Sequence, residues 1–467
     1  MLDRSFGGAT LGNDAGGHLA ANRISAEQCR ENFKDLQPPL DSNQARVAAE
    51  RCLFCYDAPC VTACPTSIDI PLFIRQIAGG QPVAAARAIL DANVMGAMCA
   101  RVCPTENLCE GACVRETAES QAVEIGRLQR FATDAAFASG RQFYRAGPPT
   151  GRHVAVVGAG PAGLACAHAL ARAGHQVTIY EARDKGGGLN EYGIAAYKTN
   201  DDIAQRELAY ILDVGGIHME YGKTLGRDFT LASLQAGHDA VFLGLGLGDT
   251  NGLGLGEPPE GVVDAVDFIA TLRQATDKTA VPVGNNVLVI GGGMTAIDAA
   301  TQAKLLGAEC VTIVYRRAKT AMPASQYEQA VAQVRGVLIR ENLMPAAIES
   351  RDGMVSGVTF EPTRSDGGRL IGTGERVTLA ADHVLTAIGQ VLRGTDLAGS
   401  GLALEKGRIA VDAERRTSLP GVWAGGDCVA GGSDLTVAAV EDGKKAAASI
   451  IAALAAMAAV APLRAGA

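Results

Sequence analysis

The sequence predicts an α/β protein: an all-α N-terminal domain followed by two α/β domains of parallel-sheet type, one inserted into the other. Three observations carry this. Eight cysteines crowd between Cys52 and Cys113, among short stretches with helical apolar spacing. A strand–glycine turn–helix–strand pattern occurs twice, first from His153 and again from Asn286. A third small-residue turn, Gly425-Gly426-Asp427, follows a short apolar run far from either copy. The expected boundaries are 1–146 for the helical domain, 147–283 with 386–467 for the outer α/β domain, and 284–385 for the inserted one.

Size and composition fit this layout. A chain of 467 residues has room for about three domains, and 48% apolar residues can fill their cores. A net charge of −8 argues against nucleic acid as a partner. Aromatic residues, at 4%, leave little for stacking on bases. The opening stretch is Gly-rich without an apolar core, so no secretion signal is expected there. Residues 1 to about 40 lack periodicity and are expected to wrap or dangle. Residues 446–463 carry no charge, near the lower limit for a spanning helix. They are mostly alanine, so a packed C-terminal helix is expected, and with it a cytoplasmic protein with no membrane partner.

The cysteines come in two bursts. Cys52, Cys55, Cys60 and Cys64-Pro65 form the first; Cys99, Cys103-Pro104, Cys109 and Cys113 form the second. Without secretion, this spacing points to metal or catalysis rather than disulfides. Structural zinc stays open, because Cys₄ zinc sites share the two-residue spacing. Four cysteines within thirteen residues, with proline after the last, favour iron–sulfur clusters. Cys29, Cys166, Cys310 and Cys428 are scattered singly and read as small buried hydrophobes. Helices are expected over 83–91 and 124–137, and a linker over 144–152.

From His153 the texture changes. Residues 153–157 form an apolar β-branched run, followed by Gly158, Gly160, Pro161, Ala162 and Gly163 at the start of an Ala-rich helix. This is a dinucleotide-binding fingerprint in its required context between strand and helix. The first glycine makes the tight turn, the second admits a pyrophosphate, and the third lets helix and strand pack closely. The helix N-terminus then offers free N–H groups to the phosphates. Glu181 ends the next strand, 23 residues after Gly158, near the spacing at which an acid holds a ribose hydroxyl.

The second copy reads Gly291, Gly293, Met294, Thr295 and Ala296, the GxGxxA variant. Its second strand ends in Arg316 and Arg317 rather than an acid. Arginine there can pair with a 2′-phosphate, which favours NADPH over NADH; the alternative is that both charges merely solvate a strand end. Two Rossmann-like dinucleotide-binding domains beside cysteine clusters suggest a flavin between a hydride donor and one-electron carriers, because a flavin accepts electrons in pairs and releases them singly. No catalytic acid or base is singled out.

The late segment 421–427 followed by the helix start at Leu435, Thr436 and Val437 resembles the two-dinucleotide-binding flavoproteins. That resemblance implies FAD in the outer domain, with Gly426 and Asp427 against it and the Thr436 helix end facing its ring. With the cysteine domain in front, residues 45–455 resemble the glutamate synthase small subunit and the matching part of dihydropyrimidine dehydrogenase. The strings at 52–60, 99–106 and 125–131 are similar to the NAD(P)H-oxidising subunit of the bacterial two-subunit pyrimidine enzymes.

The resemblance implies two [4Fe–4S] clusters with crossed ligation. Cys52, Cys55, Cys60 and Cys113 would hold one; Cys64, Cys103, Cys109 and Gln129 the other, leaving Cys99 spare. The glutamate synthase relatives carry an acid at the position of Gln129. The resemblance also implies a partner subunit bearing FMN and further clusters on a TIM barrel, since nothing after residue 455 could form one. Met294 stands where relatives carry a polar residue, and the Arg316–Arg317 pair contrasts with the NADH use expected of some bacterial members.

Overall fold

The computed structural model describes residues 19–367, 369–397 and 399–464. Residues 1–18, part of the stretch expected to wrap or dangle, lie outside the described residues.

The N-terminal unit is helical. Asp41 caps the helix Ser42–Glu50 through the N–H groups of Asn43 and Gln44, and Gln44 returns a bond to the Asp41 backbone. Helices Ile70–Ala78, Pro82–Ala92, Gly96–Val102 and Ile125–Ala138 follow. The expected helices over 83–91 and 124–137 are found, each shifted by about a residue. Phe73, Ile74, Ile89 and Leu128 are fully buried between them. Cys64 and Cys99 join the same core, so the thiols are set into its packed side rather than on loose loops.

Two five-stranded parallel sheets follow, of matching design. The first orders its strands Val422–Ala424, Ala240–Leu243, His153–Val157, Gln176–Glu181, Ile217–Tyr221. The second orders them Val262–Asp264, His383–Ala387, Asn286–Gly291, Cys310–Val314, Leu338–Arg340. In each, the central strand runs into the glycine turn and then into a helix, Pro161–Arg172 or Met294–Leu305. Strands buried on both faces need near-continuous apolar runs, as in Val154–Val157 and Val287–Ile290. An antiparallel meander over Leu343–Ala380 is appended to the second unit.

Two differences from the sequence reading stand out, in the second sheet and at Cys310, and the segment expected to wrap or dangle is found to wrap. The second sheet begins at Val262 and closes through Ala387, so it takes in chain on both sides of the 284–385 span. Residues 20–33 are ordered against that second unit: Ala20 bridges to Val283, and Cys29 and Phe33 of the helix Ala26–Asn32 enter its core. Apolar side chains spaced irregularly along a short segment leave no periodic signal, so this docking was not visible in the sequence. Cys310 is exposed rather than buried, because it opens its strand and points outward; Cys29, Cys166 and Cys428 are buried as expected.

The C-terminal helix Thr436–Arg464 lies along Pro161–Arg172, with Ala446, Ala447, Ile450 and Leu454 buried. Gly443 makes the contact close: a Cβ there would stand 2.2 Å from the Ala162 carbonyl oxygen. Among the described residues, no single helix is long and apolar enough to cross a membrane.

Candidate functional site

Two thiol-lined cavities occupy the helical unit. Cys52, Cys55, Cys60 and Cys113 line the first, of about 390 Å³. Cys52 and Cys55 sit on a turn after the helix Ser42–Glu50, folded back through Phe54 at φ +52°. Cys60 lies in the short helix Pro59–Ala63, and Cys113 caps Val114–Glu119. Phe54 N–H points at the Cys52 sulfur, 3.4 Å away.

Cys64, Cys103, Cys109 and Gln129 line the second cavity, of about 380 Å³, and Cys99 lines it too. Cys99 and Cys103 are one turn apart at the end of Gly96–Val102. The buried Asn93 amide donates to the Cys99 sulfur at 3.2 Å. Gln129 is buried, and its amide nitrogen donates to the Gly96 carbonyl at 2.7 Å. That fixes the side-chain nitrogen on the backbone and leaves the oxygen, the ligating type of atom, for the cavity. Ile70 lines both cavities and stands between them.

The donor set fits a cluster better than a single ion. Zinc at about 2.3 Å from each of four sulfurs would close such a cavity. Among the described residues, no three Cys, His, Asp or Glu side chains converge on one metal point. Burial, then the neighbouring Cys113 and Cys52, push the Cys60 thiol up to about 11. Cys103 is raised by its bond with Cys99 and by burial, and Cys109 chiefly by burial.

The first glycine turn has the shape its sequence implies. Gly158 takes φ +98°, and a Cβ there would meet the Gly244 carbonyl oxygen at 2.2 Å. A Cβ on Gly163 would meet the Gly158 oxygen at 2.0 Å. In front of Gly160, by contrast, only Gly188 comes within 4 Å. The second turn repeats this. Gly291 is pressed against Ala387, Ala296 is buried, and nothing lies within 4 Å of a Cβ on Gly293. At each turn the space a phosphate needs is open, and the helix after Pro161 or Met294 presents its N-terminal N–H groups there. Met294 and Thr295 are half-buried at the start of that second helix.

Glu181 is buried and accepts from Ala159 N–H at 2.8 Å and Arg183 N–H at 2.9 Å. Burial raises its carboxyl, and these backbone bonds oppose the rise. Gly426, at φ +88°, packs against Ala162 and so brings Asp427 beside the first turn. Burial raises Asp427 as well, with Arg408 opposing. Thr436 donates to the Asn190 side-chain oxygen at 2.7 Å, and its neighbour Val437 lines the second thiol cavity. The first glycine turn, Thr436 and the two cavities therefore form one file. Arg316 and Arg317 end the strand Cys310–Val314, both exposed, on the same edge as the second turn.

Asn190 and Asn93 in this file were not singled out from sequence, and Val437 was named there only as part of a helix start. Asn190 is 1% exposed and its amide nitrogen has no partner. The run Gly186-Gly187-Gly188 just before it was the available signal, since Gly188 abuts Gly160. Asn93 stands alone in sequence with no spacing to mark it, and Val437 was read only as part of the helix start after Leu435.

Comparison with known proteins adds the following. The model for dihydropyrimidine dehydrogenase domain II, 4Fe-4S cluster, matches residues 29–141, and the model for pyridine nucleotide-disulphide oxidoreductase matches residues 152–443. The chain is 38% identical over 424 residues to the NAD-dependent dihydropyrimidine dehydrogenase subunit PreT of Escherichia coli O157:H7, covering 90% of this chain and 97% of that one. It is 36% identical over 443 residues to the glutamate synthase [NADPH] small chain of Escherichia coli K12, covering 90% and 93%. Among solved structures it resembles Mycobacterium tuberculosis FprA in complex with NADPH, at 19% identity and TM-score 0.55, over 66% of this chain and 86% of that one. It also resembles T. acidophilum thioredoxin reductase, at 24% identity and TM-score 0.52, over 64% and 98%. These two likenesses concern the fold alone.

Proposed function

Because the chain belongs to the pyridine nucleotide-disulphide oxidoreductases, with the dihydropyrimidine dehydrogenase cluster domain in front, we propose that it is the electron-input subunit of a dihydropyrimidine dehydrogenase. It is an NAD(P)H-dependent flavin and iron–sulfur oxidoreductase. In this reading it carries one FAD and two [4Fe–4S] clusters, and serves a partner subunit whose FMN-bearing TIM barrel reduces uracil or thymine to the 5,6-dihydropyrimidine.

The observation that carries the reading is the file of sites. Gly188, two residues before Asn190, abuts Gly160 of the first turn; Asn190 is bonded to Thr436, whose neighbour Val437 lines the second cavity, and that cavity shares Ile70 with the first. A flavin in the outer unit supplies the conversion from electron pairs to single electrons. The residues do the rest. Gly160 and the helix end behind it hold the pyrophosphate, and Glu181 holds the ribose. Gly293, Met294, Thr295 and Ala296 seat the nicotinamide dinucleotide, with Arg316 and Arg317 at its 2′ position. Cys52, Cys55, Cys60 and Cys113 hold the outer cluster; Cys64, Cys103, Cys109 and Gln129 hold the inner one.

A second reading, input to a glutamate synthase, rests on the 36% identity to that enzyme's small chain. Gln129 favours the pyrimidine reading, since the amide replaces the acid expected in glutamate synthase relatives.

The test uses anaerobically purified chain. It should hold about eight iron atoms per FAD and oxidise NADPH with an artificial acceptor. It should reduce uracil only when the barrel partner is added. Uracil reduction by the chain alone, or zinc in place of iron, would falsify the proposal.

A further inference from the structure

Glu207 lies on the helix Ile203–Leu212 of the first α/β unit and is 0% exposed. One carboxylate oxygen accepts from Ala97 N–H at 2.9 Å and Met98 N–H at 3.1 Å. The other has no hydrogen-bond partner. Gly96, one residue before Ala97, gives its carbonyl to the Gln129 amide. Residues 96–98 are thus gripped on their donor side by the dinucleotide-binding unit and on their acceptor side by the second cavity.

A neutral acceptor such as glutamine could cap the same two N–H groups. A carboxylate with one bare oxygen, buried away from water, is a costly way to cap a helix end. What it adds over glutamine is negative charge one short backbone link from Gln129. Arg101 is the charged side chain that faces it; Arg101 is itself paired with Asp134 at 2.6 Å. Burial pushes the Glu207 carboxyl up to about 8, so the group holds a proton near neutrality and develops its negative charge as the pH rises past that value.

We propose that Glu207 is a positioning residue for electron transfer, which docks the helix Gly96–Val102 onto the flavin-side unit and, when ionised, lowers the potential of the inner cluster. The inference rests on the cluster assignment given above. Reduction adds negative charge to a cluster, so a nearby carboxylate disfavours it; removing that charge makes reduction easier.

The test is an EPR-monitored redox titration of the holoprotein carrying Glu207→Gln, at pH 9. One of the two clusters should become about tenfold easier to reduce, which is about 59 mV for a one-electron couple. The other cluster, the iron content and the melting temperature should stay as in the wild type. Glu207→Asp, which keeps the charge, should leave both clusters within about twofold of the wild type. If the glutamine variant does not fold, the unmodified protein still decides the matter: the reduction equilibrium of one cluster should fall with rising pH through about 8, while the other stays flat. Equal shifts in both clusters, equal effects of glutamine and aspartate, or two pH-independent clusters overturn the role of Glu207. Absence of iron–sulfur clusters overturns the functional reading instead.

Discussion

Gln129 and Gly96 are joined by a buried 2.7 Å bond from the side-chain amide to the backbone carbonyl. The bond orients a side chain that otherwise has two chemically different ends. With the nitrogen held, the oxygen is the end left free for the cavity that Gln129 lines together with Cys64, Cys103 and Cys109. Gln129→Leu keeps the bulk and removes the oxygen. It should cost about four of eight iron atoms while leaving the FAD content unchanged. Gln129→Glu should retain the iron, with the potential of one cluster lowered by the added charge. Iron and sulfide analysis with EPR checks both.

Cys99 provides a sharper comparison. It lines the same cavity as Cys103, one helical turn away, yet its sulfur is held by the Asn93 amide. Cys99→Ala should keep full iron, and Cys103→Ala should lose one cluster. Equal iron loss in the two variants would make Cys99 the ligand in place of Gln129.

The dinucleotide turns were legible because their constraint is local. Gly158 and Gly163 each meet a backbone oxygen within 2.2 Å of where a Cβ would stand, so glycine is enforced within six residues of chain. The strands beside them were equally plain, being apolar on both faces. The thiols were legible as a set, but their division between two cavities was not local: Cys113 closes a cavity with Cys52, and helices packed between them decide it. Only the family resemblance suggested that division. Glu207 gave no signal, because a single polar residue at a seam between units has neither periodicity nor spacing, and Asn190 was marked only indirectly by the glycine run before it. Cys310 was misread because burial of a strand's first residue depends on its register, not on its type.

Acid stability should be governed partly by buried histidines. His383 is 1% exposed, accepts weakly from Gly284 N–H at 3.4 Å, and has no partner at its other nitrogen. Burial holds it down to about 4, with Asp382 opposing. His168, against the Tyr144 ring, is held to about 3, again mainly by burial. Between their ordinary value of 6.5 and these values, the unfolded chain binds protons that the folded chain does not. Stability is therefore fully present above about pH 6.5 and falls as pH drops toward 4, by up to about 1.4 kcal/mol per pH unit for each histidine. Denaturant midpoints measured from pH 7 to 4 should show this slope. His383→Gln should flatten it by one histidine's share, and an unchanged slope would mean that this ring titrates normally.

If Arg316 and Arg317 bind a 2′-phosphate as proposed, these two exposed arginines set the nicotinamide preference. Arg316 and Arg317 follow the strand Cys310–Val314, the element next to the one that carries Gly291 and Gly293. In this topology the end of that strand lies at the 2′ position of the adenosine ribose. Backbone carbonyls of both residues are tied down, by Thr363 and Asn342, so the chain there is fixed while the side chains reach outward. A charge-assisted arginine–phosphate contact contributes about 1.5–3 kcal/mol, or about ten- to a hundredfold in affinity. NADPH should accordingly exceed NADH in kcat/KM by about tenfold or more. Arg316→Glu removes the partner and adds repulsion, so it should cut NADPH use far more than NADH use. Steady-state kinetics with both nucleotides, on wild type and variant, decides the matter: a wild-type preference for NADH, or equal losses with both, would mean that the arginines only solvate the strand end.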